Sequence, residues 1–218
     1  MNRVWLGILL SLAGFFTGLS WLVHTRALVE FDRTVLFTLQ ATLPRIVDLP
    51  FSWLSVLGSA EITSAIFLAL VFFLAPPAQR VPFILAFGAM TFLELLGKSF
   101  LRQPTVPYEW VRTIRLATIP SGDIPTFFAY PSGHSARTVF LAVLCAGLIA
   151  PRNLARAPRR AIYLALGALV GAMLLSRPYL AEHWTTDVIG GALLGTLFAL
   201  LPFTSPKISG ARNLNERN

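Results

Sequence analysis

Charge is scarce in this chain. Only 13% of its 218 residues are Asp, Glu, Lys or Arg, whereas 55% are hydrophobic and the mean hydropathy is +0.67. A water-soluble domain of this size carries charge on about a quarter of its residues, so a soluble globular protein is excluded. Cysteine is almost absent. The lone Cys145 lies in an apolar run and cannot form an internal disulfide, so it reads as packing and says nothing about redox compartment. Histidine is also rare, with His24, His134 and His183 the complete set. Repeats and low-complexity segments are missing, and the length leaves no room for a second domain beside a membrane bundle.

What is present is a series of apolar runs. A span needs about 20 mostly apolar residues, and six candidates occur, near 4–23, 55–75, 81–101, 136–150, 161–176 and 186–203. Pro76-Pro77 and Pro82 mark a tight turn between the second and third, and Pro151 and Pro158 bracket the turn between the fourth and fifth. The mixed-polarity stretch 27–47 predicts an amphipathic helix lying at the interface between spans one and two. The expected fold is therefore all-α, a single six-helix integral membrane bundle over residues 1–218. The first run follows Met-Asn-Arg and could be a signal peptide. It is longer than a usual signal core, and its cleavage candidate at Gly18-Leu19-Ser20 is poor, so it is read as a retained span.

The charge that does occur is placed asymmetrically. With the N-terminus in the cytoplasm, Arg3, Arg80, Arg152, Arg156, Arg159, Arg160, Lys207, Arg212 and Arg217 lie inside against the single acid Glu216. This side carries the whole net charge of +8, because the remaining nine cations and nine acids cancel. That is the positive-inside pattern, so the basic segment 152–160 is a topology and headgroup signal rather than a nucleic-acid patch. The loops at 102–135 and 177–185 then share the outer face. Gly167 and Gly171, and Gly191 and Gly195, have the small-residue spacing that lets helices approach closely. The five tryptophans, Trp5, Trp21, Trp53, Trp110 and Trp184, fall mostly near span ends and read as interfacial anchors, as does His24.

Those two outer loops hold the chemistry-bearing residues. His183 and Asp187 stand at i and i+4, so on a helix the carboxylate faces the imidazole, fixes its tautomer and makes its other nitrogen more nucleophilic. Alone, the pair could be a helix-end histidine beside a cap residue, but an acid one turn into an apolar span is usually functional. His134 follows Ser132-Gly133, a turn that can offer backbone N–H groups to a phosphate at a helix start. It is placed to protonate a leaving oxygen; the plainer reading is a cap with an incidental histidine. Arg177, six residues before His183, suits bidentate phosphate binding, or is a snorkelling span end. Lys98 has Glu94 and Arg102 four residues to either side, all on one face while the helix lasts, or a self-paired solvated helix end. Together these residues make a cationic cradle with two histidines and one orienting acid.

The motifs resemble those of the type 2 phosphatidic acid phosphatase family, membrane lipid phosphatases related to vanadium haloperoxidases, with signatures K-x6-R-P, P-S-G-H and S-R-x5-H-x3-D. The second is intact at Pro131 to His134 and the third from Ser176 to Asp187. The first departs: Lys98 is present, but Thr105-Val106 stands where Arg-Pro is expected, and Arg102 is the candidate to supply the guanidinium, ahead of Arg112 and Arg115. The resemblance implies metal-free, cofactor-free phosphoryl transfer. His183 is the nucleophile, Asp187 its orienting acid and His134 the proton donor and base. Lys98, Arg102, Ser132, Gly133 and Arg177 hold the phosphate. No carboxylate cluster suited to Mg²⁺ is evident. The expected partners are the bilayer and a lipid phosphate such as undecaprenyl diphosphate, phosphatidylglycerophosphate or phosphatidic acid. The expected place is a prokaryotic plasma or inner membrane, with the site on the outer face. The alternatives are a phosphotransferase using a polyprenyl diphosphate donor and a non-catalytic lipid-phosphate binder or transporter.

Overall fold

The computed structural model describes residues 3–116, 127–150, 152 and 154–204. The cytoplasmic-side charges expected at Lys207, Arg212, Glu216 and Arg217 lie outside these residues. Among the described residues eight α-helices follow in order: α1 Arg3–His24, α2 Val29–Thr42, α3 Asp48–Leu57, α4 Ala60–Leu74, α5 Pro77–Phe100, α6 Gly133–Ile149, α7 Arg156–Tyr179 and α8 Thr185–Leu200. No strand occurs among the described residues.

Four helices (α1, α5, α7, and α8 with the 3₁₀ turn after it) are long and apolar enough to cross a bilayer. A fifth crossing exists only if one bent helix pair is counted as a single span. The segment Arg45–Leu57 meets Ala60–Leu74 at an angle of 58°. Gly58 closes α3, and the Ser59 hydroxyl caps α4 by accepting from the Ile62 N–H at 3.4 Å. The remaining apolar run falls on α6, a shorter helix of 17 residues that packs most extensively against α8. Each expected span therefore falls on a helix, although α7 begins earlier than 161 and carries Pro158 in its first turn.

Helices α6 and α8 form the centre of the bundle. Phe140, Leu144 and Leu194 are fully buried there, with Phe67, Phe83 and Met90 from α4 and α5 closing the core. Outer faces stay apolar: Phe15, Phe73, Phe92 and Leu164 are each more than 60% exposed. A helix apolar all round needs lipid or protein on every side, which makes this a membrane bundle.

Of the two glycine pairs, only one brings helices together. A Cβ on Gly191 would stand 2.3 Å from the Ser132 carbonyl oxygen, and one on Gly195 would stand 2.2 Å from that of Ala136. Gly167 and Gly171 have no described atom within 4 Å of an added Cβ, so the packing role expected for them is not observed.

The predicted helix between spans one and two is α2, with Asp32 and Leu36 buried and Glu30, Phe31, Arg33 and Phe37 exposed. It lies at the same end of the bundle as segment 101–116 and the α7–α8 turn. Gln40 donates to the carbonyls of Trp110 (3.0 Å) and Tyr179 (2.9 Å), and the Arg112 N–H donates to the Leu180 carbonyl at 3.0 Å. Trp184 is not a surface anchor. It is 6% exposed, packs edge-on against Trp110 and donates its indole N–H to the Pro104 carbonyl at 2.8 Å.

Candidate active site

The turn after α7 and the first turn of α8 are tied to the start of α6. The Ser132 N–H donates to the Asp187 carbonyl at 2.9 Å, and the Ser132 hydroxyl caps α6 by accepting from Ser135. Asp32 pins α8 from the other side. Its carboxylate accepts from the Thr186 N–H (2.8 Å), the Thr186 hydroxyl (2.7 Å) and Gln103 (3.2 Å). Burial holds the Asp32 carboxyl above its ordinary range, opposed by the bonds from Thr186.

This tying brings both motifs together. The imidazoles of His134 and His183 face each other with ring centroids 6.5 Å apart. His183 Nδ1 lies 3.3 Å from Asp187 Oδ2, which also accepts the Trp184 N–H at 3.0 Å. With Nδ1–H donating to the carboxylate, Nε2 is left with its lone pair. Burial, followed by the positive charge of Lys98, pushes His183 down to about 3, so its ring is neutral near pH 7. Asp187 Oδ1 is buried without a partner among the described residues. His134 Nε2–H donates to the Ser55 carbonyl at 3.1 Å.

The cations each meet a carboxylate. Lys98 Nζ lies 3.0 Å from Glu94 Oε1, and Arg137 Nη1 donates to Glu94 Oε2 at 2.8 Å. Arg177, fully buried, pairs through Nη1 with Glu182, donates to the Ser55 hydroxyl at 2.8 Å, and through Nε and Nη2 reaches the Ser176 hydroxyl. Glu182 is further held by the hydroxyls of Ser55 and Thr113.

Seven of the eight residues singled out from the sequence surround this centre: Lys98, Ser132, Gly133, His134, Arg177, His183 and Asp187. Arg102 does not join them. Helix α5 ends at Phe100, Leu101 turns extended, and Arg102 is exposed with no bond among the described residues. The helical face expected to carry Arg102 beside Lys98 stops before reaching it, at Phe100. Arg112 is engaged elsewhere, over the Tyr179 ring and bonded to its hydroxyl at 3.3 Å. Sequence reasoning missed Ser55, Arg137 and Glu182. A signal existed for Arg137, since a charge within an apolar span is functional by default. Ser55 had none, because only the bend between α3 and α4 carries it to His134.

Known proteins resemble this chain in sequence and in fold. A family model described as PAP2 superfamily matches residues 79–209, more than half of the chain. Phosphatidylglycerophosphatase B of Bacillus subtilis is 30% identical over 94 residues, which are 43% of this chain and 46% of that protein. The matched part thus spans about half the length of that relative. In overall fold the chain is similar to the crystal structure of a transmembrane PAP2-type phosphatidylglycerolphosphate phosphatase from B. subtilis, with TM-score 0.70 and 22% identity over 89% of this chain and 93% of the other. It is also similar to Aquifex aeolicus LpxE, with TM-score 0.54 and 21% identity over 81% and 94%.

Proposed function

The chain belongs to the PAP2 superfamily, and on that premise we propose that it is a membrane lipid phosphatase acting through a phosphohistidine. The observation that carries this reading is the His183–Asp187 pair facing His134 across 6.5 Å, beside Lys98 and Arg177.

His183 Nε2 attacks phosphorus. The P–O bond to the lipid breaks as the P–N bond forms, and His134 delivers a proton to the departing oxygen. Asp187 holds Nδ1–H and offsets the positive charge that develops on the His183 ring. In the second step His134 takes a proton from water, whose oxygen attacks phosphorus, and the P–N bond breaks to release inorganic phosphate and regenerate His183. Lys98, Arg177, Ser132 and the Gly133 N–H hold the phosphoryl oxygens, so the protein supplies position and charge stabilisation. No step draws on a metal or cofactor.

The substrate class is a phosphate monoester or diphosphate of a bilayer lipid. Phosphatidylglycerophosphate is the first to test because relatives carry that activity in their names; undecaprenyl diphosphate and phosphatidic acid complete the panel. The positive-inside count supports cytoplasmic termini and a site on the outer face of a bacterial inner membrane.

The test is phosphate release from these lipids by detergent-purified protein in EDTA, with His183→Ala alongside. Release that survives EDTA and disappears in the variant is expected. Equal release by His183→Ala would refute the mechanism, and radiolabel appearing on lipid instead of water would reassign the protein as a transferase.

A further inference from the structure

Arg137 lies on α6 one turn after His134, and its side chain is only 8% exposed. Burying a guanidinium is costly unless its N–H groups are satisfied. Here one atom is satisfied: Nη1 donates to Glu94 Oε2. Among the described residues Nε is buried without a partner, and Nη2 has none either. The Nε–Nη2 edge is the fork that takes two oxygens of a carboxylate or phosphate side by side. It is left open in a protein that fills the corresponding donors of Arg177 with Ser176.

Arg137 itself is beside the chemistry. A Cβ on Gly133, the first residue of α6, would stand 2.0 Å from Glu94 Oε1 and 2.7 Å from Arg137 Nη1, so the Glu94–Arg137 pair packs against the start of that helix. Helix N-termini collect anions there, through free N–H groups and the helix dipole. Glu94 ties Arg137 to Lys98, one carboxylate oxygen to each cation, so the two are held in fixed register without engaging the fork. Arg102 is exposed and outside the cluster.

We propose that Arg137 is a phosphate-binding residue of this site, its free guanidinium edge taking two phosphoryl oxygens while Glu94 keeps Nη1. The proposal rests on the phosphatase reading for its ligand. It predicts that the missing first-motif guanidinium comes from α6 rather than from segment 101–116.

Equilibrium binding of orthovanadate, a phosphate-shaped anion, to the purified full-length protein tests this without turnover. Arg137→Gln should weaken binding at least tenfold. Arg137→Lys should recover only part of it, because an ammonium is a point charge without the fork. Removing Arg137 also strands Glu94, so the double variant Glu94→Gln/Arg137→Gln separates anion binding from folding. It should keep the wild-type melting temperature yet bind orthovanadate as poorly as the single variant. Wild-type affinity in the double variant would make Arg137 a counter-ion only and overturn the proposal. So would a tenfold loss in Arg102→Ala with Arg137→Gln unaffected. Wild-type protein that binds orthovanadate but releases no phosphate from any lipid would sink the phosphatase reading alone.

Discussion

Gly195→Ala adds one methyl group at the point where α8 crosses α6. The new Cβ would sit 2.2 Å from the Ala136 carbonyl oxygen and 3.0 Å from its carbon, both backbone atoms that no rotamer change can move. Reaching ordinary contact, 3.4 Å or more, needs over 1 Å of separation. Overpacking of this kind costs about 1–3 kcal/mol. The displacement also reaches the site, because α6 carries His134 two residues before Ala136 while α8 carries Asp187. A misplacement of about 1 Å between reacting groups costs roughly 10²-fold in rate. The matched control is Gly167→Ala, which meets nothing within 4 Å and gains helix propensity of up to about 1 kcal/mol. Thermal unfolding in detergent and phosphate release from lipid, run on both variants, read the two effects. Gly195→Ala should melt earlier and lose most activity, whereas Gly167→Ala should melt at or above wild type with full activity. Gly195→Ala with wild-type melting and turnover, or Gly167→Ala equally impaired, would refute the argument.

Two further outcomes follow from the site. Asp187→Asn keeps the shape but replaces the carboxylate that accepts from His183 and the Trp184 N–H, and should lower kcat by roughly 10²- to 10⁴-fold, as loss of an orienting acid does in a histidine triad; steady-state kinetics decide it, and a loss below tenfold would remove Asp187 from the mechanism. His183, pushed down to about 3, should stay neutral at pH 5.5, where an unperturbed imidazole is roughly 90% protonated. Its folded value lies below its unfolded one, so the stability from burying it neutral is complete above about pH 6.5 and is lost as pH falls toward about 3. ¹⁵N NMR of histidine-labelled protein reads the titration, and a midpoint near 6.5 for His183 would contradict the geometry.

Much of this was legible in the residues themselves. Long apolar runs need no partner to be recognised, so the all-helical membrane fold could be read directly, and each of the six runs falls on a helix. Pro131 to His134 and Ser176 to Asp187 are short enough that their chemistry lies in local spacing. Arg102 was misjudged because an i+4 argument holds only while the helix lasts, and α5 stops at Phe100. The break at Gly58-Ser59 was hidden inside a continuous apolar window, although it carries Ser55 to His134 and Arg177. Trp184 looked like an interfacial anchor by position and is instead covered by Trp110 and segment 101–116.

Hydropathy and residue spacing, properties of the chain taken one stretch at a time, were enough to determine that this protein is a helical membrane bundle with two histidines and an acid at one end. Which charges meet was decided only in the tertiary structure. Glu94 of α5 reaching Arg137 of α6, Ser55 of α3 bonding both Arg177 and Glu182, and Gly195 rather than Gly167 bearing a helix contact all depend on how helices rotate and cross. Those relations are set by packing between residues far apart in the chain, and no local pattern encodes them.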